Sequence, residues 1–356
     1  MIVSDLERIL VRLPNWVGDV VMATPALAAI REACPRARVV AVGRGTSATL
    51  LTGSPLIDEV WGISKSDEQL YRGALSLIRR YRKSRFDAAI LLAGSLTSAL
   101  PVALARIPVR AGFPRGRRIL VTHPATDQWN EAGERRPRPM PEVYQDVLNV
   151  LGIPAARPDY VLPALPEDEA ACASLLGSFG YRPGHDRIVG INPGAKFGST
   201  KLWSPERFGE VGRELLDRGF RVLLLLAPGE EAIGARVAAA TGTGLWVPSS
   251  PIPLPTLRGV MGRLSLLITN DTGPRHMAVA AGCPIVTILG PTFAQWTDWN
   301  LKKTTVIQKE VPCGPCHLKV CPHAHECMSK VSAAEVLSAT LERLGVSSGA
   351  NQGPIL

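Results

Sequence analysis

Residues 266–290 read as an apolar strand, the turn Asn270-Asp271-Thr272-Gly273, an amphipathic helix over Pro274–Ala281 and a second apolar strand over Pro284–Leu289. The turn lies where a strand hands over to a helix. The unpaired N–H groups of a first helical turn favour an anion there, so a phosphate-bearing ligand is expected. Three other strand-to-helix turns carry comparable residues. Asn192 to Pro205 contains Lys196 and Lys201 in a Gly/Ser/Thr loop with Thr200, followed by Trp203. Two lysines in such a loop suit a diphosphate, and the absence of Walker spacing disfavours an ATP-hydrolysing P-loop. Ser204-Pro205 is also a plain helix start, which explains part of that segment without a ligand. Ala227-Pro228-Gly229-Glu230-Glu231 offers carboxylates that either accept from ribose hydroxyls or complement a helix N-terminus. Leu13 to Val21 brings one carboxylate, Asp19, beside Trp16 and Gly18. Asp19 is read either as a first-turn acid or as a general base.

The cysteines divide into two groups. Cys34, Cys172 and Cys283 stand in apolar or helical contexts as buried hydrophobes. Cys313, Cys316, Cys321 and Cys327 follow a Cys-x2-Cys-x4-Cys-x5-Cys spacing with His317, His323 and His325 between them. Three readings stay open: a structural zinc or iron site, disulfide or redox chemistry, and reduced packing thiols. The wider second pair departs from the usual ribbon of two knuckles. A metal here would tie the loop after the last strand to the closing helix, a folding role that catalysis does not require.

These turns need a frame to hold them. Strand-like runs at Arg8–Leu13, Arg38–Val42, Glu59–Ile63 and Phe86–Leu92 alternate with helical stretches at Val20–Ala33, Asp67–Lys83 and Leu96–Ala105. A second series has strands at Arg187–Asn192, Phe220–Ala227, Leu266–Thr269 and Pro284–Leu289. Both series predict parallel α/β sheets with crossover helices. Length, 356 residues with 46% hydrophobic and 20% charged, fits two domains. The expected division is an N-terminal domain over 1–160, a proline-rich linker over 161–186, a C-terminal domain over 187–330 that includes the cysteine loop, a closing helix over 331–345 opened by Ser332 with Glu335, and a flexible tail over 346–356.

The first thirteen residues hold no long apolar segment, and the longest apolar run, Val222 to Pro228, is far short of the roughly 18 residues of a membrane span. The expectation is a soluble, cytoplasmic protein. A formal charge of +9 and a pI near 9.4 suit an acidic substrate, nucleic acid or an anionic membrane surface. Arg106, Arg110, Arg115, Arg117, Arg118, Arg135, Arg136 and Arg138 face only Asp127, Glu131 and Glu134, either as a cradle for an anionic acceptor or as a solvated face. A nucleic-acid-binding protein with a metal-bound cysteine cluster would use the charge, but aromatics are 5% of the chain and form no ladder for base stacking. A dinucleotide oxidoreductase would need Gly-x-Gly-x-x-Gly at the first turn, where Asp19 stands.

Taken together, Asn15-Trp16-Val17-Gly18-Asp19-Val20-Val21-Met22 with Pro25-Ala26-Leu27, Pro193-Gly194-Ala195 through Lys201-Leu202-Trp203, Asn270-Asp271-Thr272-Gly273 with His276, Gly290-Pro291-Thr292 and Cys313-Gly314-Pro315-Cys316 span nearly the whole chain. The set resembles the ADP-heptose:lipopolysaccharide heptosyltransferases, the inverting glycosyltransferase family 9, and most nearly its heptosyltransferase II branch. The resemblance implies a GT-B fold of two Rossmann-like doubly wound domains facing a central cleft, with the acceptor on the N-terminal half and the nucleotide sugar on the C-terminal half. It implies Asp19 as general base, Lys201 on the diphosphate, and Trp16 and Gly18 on the acceptor side. Lys196, Thr200, Asp271, Thr272, Gly273 and His276 fall on the donor side, and Glu231, or Glu230 beside it, on the ribose. A carboxylate repels a diphosphate, so Asp271 is expected to orient sugar hydroxyls or Lys201. The implied reaction moves L-glycero-D-manno-heptose from ADP-heptose to the inner core of lipopolysaccharide without a catalytic metal. Other donors or acceptors on the same fold remain the alternative. The implied partners are ADP-heptose and a lipid A–inner core acceptor, with no nucleic acid. The implied location is cytoplasmic, with peripheral contact at the inner face of the inner membrane through the arginine-rich stretch.

Overall fold

Continuous apolar strands buried on both faces can be satisfied only by helices above and below a parallel sheet, and the chain builds two such sheets. The computed structural model describes residues 5–67, 72–126, 128–129, 136–155, 159–299 and 301–346. It divides into two compact units, Met1–Leu162 with Gln295–Trp299, and Pro163–Ala294 with Asn300–Leu356.

In the first unit the order is β1 (Arg8–Arg12), α1 (Val17–Met22), α2 (Thr24–Ala33), β2 (Arg38–Arg44), α3 (Gly45–Thr49), β3 (Glu59–Ile63), α4 (Arg72–Ser84), β4 (Ala88–Leu91), α5 (Leu96–Leu104), β5 (Val109–Gly112), β6 (His123–Pro124) and α6 (Met140–Asn149). The sheet runs β3-β2-β1-β4-β5-β6, all parallel. Strand order reverses beside β1, so the turn carrying Asp19 opens at a switch point, where open α/β sheets bind ligands. The single helix expected over Val20–Ala33 is two helices. Pro25 has no N–H to continue the ladder and instead opens α2. Leu10, Val40, Leu77, Tyr81, Phe86 and Leu91 share one core.

The second unit runs α7 (Pro166–Ser178), β7 (Ile188–Asn192), α8 (Pro205–Asp217), β8 (Arg221–Leu224), α9 (Glu231–Thr241), α10 (Leu254–Met261), β9 (Leu264–Asn270), α11 (Gly273–Ala280), β10 (Ile285–Leu289), β11 (Thr304–Gln308), α12 (Glu326–Ser329) and α13 (Ala333–Arg343). Its parallel sheet has the order β11-β10-β9-β7-β8, and the reversal falls between β7 and β9. Ser204 caps α8 through Arg207 N–H, with Pro205 at the first helical position. Phe208, Val211 and Leu215 then fall on one buried face. Trp203 meets Phe208 edge-on at 4.8 Å and donates its ring N–H to the Val331 carbonyl. Ser332 and Glu335 form the capping box that opens α13.

The segment expected as a linker over 161–186 is built into the second unit from Pro163 onward. α7 packs on α10 through a buried ion pair between Asp168 and Arg258, 1% and 4% exposed at 2.5 Å, and Gly259 lets the backbone of Asp168 and Cys172 Cβ approach. The prolines that read as linker punctuation include Pro166, which starts this helix. Of the tail expected over 346–356, only Val346 is among the described residues.

Candidate functional site

Two asparagines at strand ends fasten the second unit's turns together. Asn270 Oδ1 accepts from Trp203 N–H at 3.2 Å and its Nδ2 donates to Pro193 O at 2.7 Å. Asn192 Oδ1 accepts from Thr269 and Thr272 hydroxyls at 3.1 and 3.0 Å, and its Nδ2 donates to Leu225 O. The ends of β7, β8 and β9 are thus locked in register, and the loop bearing Lys201 is pinned beside the first turn of α11.

On this platform Asp271 gathers the charge. Its Oδ2 accepts from Lys201 Nζ at 2.7 Å and from Thr292 Oγ1 at 3.2 Å, and its Oδ1 accepts from Arg275 Nη1 at 2.7 Å. Lys201 Nζ also donates to the Asp271 carbonyl at 3.1 Å. Burial pushes the Asp271 carboxyl up, but Lys201, then Arg275, pull it further down, and it stays ionised well below the usual carboxylate range. Burial and the neighbouring Arg275 charge lower His276 to about 3, so this 4% exposed imidazole is neutral at physiological pH. Two cations against one carboxylate leave a net positive charge at a helix N-terminus, next to Thr272 and Gly273. That arrangement suits a multiply charged anion.

Glu230, not Glu231, is the carboxylate turned toward this platform. Its Oε2 accepts from Ala227 N–H at 2.8 Å. It packs against the open face of Gly194, where a Cβ would collide with the carboxylate. Burial raises it above its ordinary value, with the Ala227 N–H and the Lys196 charge opposing. Glu231 is exposed and accepts from Gly229 N–H at 3.1 Å, a helix-start role. The adjacent acids look alike in sequence, and only the close approach of Gly194 separates them. Thr200, expected on the donor side, has its side chain turned to the cysteine loop. It is 1% exposed, its hydroxyl donates to Leu318 O at 2.6 Å, and its carbonyl meets His325 Nε2 at 2.7 Å. Its partners lie in the cysteine loop, so it braces that loop against the lysine loop. Thr292, Asn192 and Asn270 are the residues that a search for charged groups passes over.

In the first unit, Asp19 occupies the first turn of α1, past the C-terminal end of β1. It is half-buried, Gly18 is buried and Trp16 is 49% exposed. Beneath the turn, buried Arg12 donates to Leu13 O at 2.5 Å and to Asn15 Oδ1 at 3.2 Å, holding the chain where it leaves the strand. Of the arginines read either as a cradle or as a solvated face, several are engaged within the unit. Arg117 is buried, lowered to about 10 by desolvation, and holds Phe113 O, Ser95 O and Ser98 Oγ. Arg138 pairs with Asp146 at 2.8 Å. Arg135, Asp127, Glu131 and Glu134 lie outside the described residues.

All four clustered cysteines line a small cavity of about 40 Å³ with Gly290 and Pro291, and all are free thiols. Among the described residues no group of three or more His, Cys, Asp or Glu side chains stands where it could hold a metal ion. The thiols share a cavity, and as they stand they do not compose a metal site, one of the three readings the spacing left open.

The family model for glycosyltransferase family 9 (heptosyltransferase) matches residues 74–326. The chain belongs to glycosyltransferase family 9. It is a glycosyltransferase of the heptosyltransferase family, and its two doubly wound units are the GT-B fold. This family 9 chain is 25% identical over 337 residues to the lipooligosaccharide heptosyltransferase 2 of Campylobacter jejuni, covering 93% of this chain and 97% of that one. Among solved structures it resembles the family 9 glycosyl transferase of Veillonella parvula, with TM-score 0.82, 23% identity and coverage of 97% and 98%. It also resembles the Escherichia coli ADP-heptose lps heptosyltransferase II, with TM-score 0.75, 23% identity and coverage of 95% and 98%. No helix among the described residues of this glycosyltransferase is long and apolar enough to cross a membrane.

Proposed function

We propose that the enzyme transfers L-glycero-D-manno-heptose from ADP-heptose to the inner core of lipopolysaccharide in a single displacement that inverts the anomeric centre. The observation that carries this reading is the Lys201–Asp271–Arg275 cluster at the first turn of α11, and the donor named for the E. coli relative supports it. Asp19 takes the proton of an acceptor hydroxyl as that oxygen attacks the anomeric carbon. The bond from that carbon to the diphosphate oxygen breaks, and the electron pair leaves with ADP. Lys201 and the N–H groups of the α11 turn stabilise the charge that develops on the leaving group, which removes the need for a divalent cation. Asp271 aims Lys201 rather than touching phosphate, and Glu230 accepts from the ribose hydroxyls. The acceptor is a lipid A–inner core glycan, so the enzyme works at the inner face of the inner membrane as a peripheral protein.

The test is transfer from ADP-heptose to a core-truncated lipopolysaccharide, read by mass and by anomeric configuration, in the absence of divalent metal. One added heptose with inverted configuration supports the proposal, and no transfer, or a retained configuration, refutes it.

For the cysteine loop we propose a structural zinc or iron ion held by Cys313, Cys316, Cys321 and Cys327. A shared cavity and four soft donors within fifteen residues support it, and side-chain rotation is required to gather them. About one metal equivalent per chain, lost with a fall in Tm in Cys316→Ser, is the expected outcome. A metal-free protein with unchanged Tm contradicts it.

A further inference from the structure

α5 has no charged residue and an apolar stripe on its outer side. Leu96 is 49% exposed and Leu104 46%, with Leu100 half-buried between them, at i, i+4 and i+8 along one side of the helix. A helix apolar on both faces is normally covered on both, and here the inner face packs through Ala99 and Val102 while the outer one stays open. The short 3-10 turn Arg118–Leu120 packs beside α5 and projects Ile119, 92% exposed.

Cations gather at the Leu104 end of this stripe. Arg82, in the last turn of α4, donates to Leu104 O at 2.8 Å, and Arg106 follows the end of α5. Arg110 donates to Ile107 O and Leu120 O at 2.5 and 2.7 Å, which brings Arg118 and Ile119 alongside the end of α5. Arg82, Arg106 and Arg118 are all exposed, and among the described residues no carboxylate pairs with any of them. Between Arg72 and Thr126 the chain has eleven Lys or Arg and a single carboxylate, Asp87, which is occupied by the Glu7 and Arg8 N–H groups.

We propose that this flank of the first unit, with Leu96, Leu104 and Ile119 as apolar contacts and Arg82, Arg106 and Arg118 beside its Leu104 end, docks on an anionic phospholipid surface. An apolar stripe with a cationic border matches a bilayer interface, where aliphatic tips enter the acyl boundary while cations meet lipid phosphates. Nucleic acid offers the phosphates without an apolar compartment. α5 also runs from the edge of the sheet where strands end, the edge bearing the Asp19 turn, to the edge where they begin, so the flank spans the depth of the unit. The inference rests on the peripheral-membrane reading above and gives it an address.

The experiment is co-sedimentation of the full chain with vesicles of phosphatidylglycerol and phosphatidylethanolamine, against phosphatidylcholine alone. Binding to the anionic vesicles alone is expected, weakened by salt and reduced at least about twentyfold in Arg106→Glu/Arg118→Glu, from roughly fivefold for each cation lost. A comparable loss is expected in Leu104→Asp/Ile119→Asp. All four positions are exposed, and an unchanged Tm confirms that each variant is folded. Equal binding by the variants, no binding to anionic vesicles, or self-association abolished by Leu104→Asp/Ile119→Asp without vesicle binding would each overturn the proposal. Vesicle binding is read without any sugar transfer. A chain that binds through this flank and fails to transfer heptose therefore refutes the functional reading and leaves the surface standing.

Discussion

With one oxygen on Lys201 and Thr292 and the other on Arg275, Asp271 has three of its roughly four lone-pair directions filled, which supports the proposal that it aims Lys201. Asp271→Asn should keep Arg275 buried without its counter-charge, lowering both stability and donor affinity. His276 gives a separate signal. Its folded value of about 3 lies below the ordinary 6.5, so between those values the unfolded chain holds a proton that the folded chain does not. Its contribution is complete above pH 6.5 and falls as pH drops, by up to about 1.4 kcal/mol per unit. Asp271 is depressed below its unfolded value near 3.9 and contributes nothing to that slope above pH 5. Urea midpoints at pH 7.5 and 5.5 should therefore separate, with the gap narrowed in His276→Gln, and an equal gap in the variant contradicts the assignment. Asp19→Asn should retain ADP affinity and lose about 10²–10⁴-fold in transfer rate, whereas turnover within tenfold of the native enzyme removes Asp19 from the base role.

At the level of elements, the strand-to-helix turns were legible because their physics is local: apolar run, small residues, cap. The Ser204 and Ser332 caps stand at their expected positions. Thr200 and the Glu230/Glu231 pair were not legible, since neither burial nor the neighbour across a turn is written in spacing. Gly198 shows how tightly the lysine loop is held, because a Cβ there would run into the Lys319 backbone of the cysteine loop. Gly198→Ala should lower stability by roughly 1–3 kcal/mol and weaken nucleotide binding together. At Gly194 the atoms nearest a Cβ are those of the Glu230 carboxylate, a side-chain end that can swing aside at the cost of its Ala227 hydrogen bond. Gly194→Ala should then leave Tm near native and weaken ADP binding alone, and the reverse pattern would move the ribose contact away from Glu230.

The whole molecule separates into two units with their own sheets and cores. Alternating strand and helix signals announced both sheets. The division at Pro163 was hidden because proline marks a linker and a helix start with the same residue, and the Asp168–Arg258 pair that decides between them is 90 residues apart in sequence. Charge was visible as an excess of arginine, but its placement was not: Arg117 is buried while Arg106 and Arg118 are exposed. The central claim concerns the second unit's anion site, and calorimetric titration with ADP, ADP-heptose, UDP-glucose and GDP-mannose without divalent metal tests it most directly. Selective binding of the adenine nucleotides, weakened at least about tenfold by Lys201→Ala through loss of a charged hydrogen bond, is the predicted result. Preference for UDP-glucose or GDP-mannose, or unchanged ADP affinity in Lys201→Ala, would contradict it.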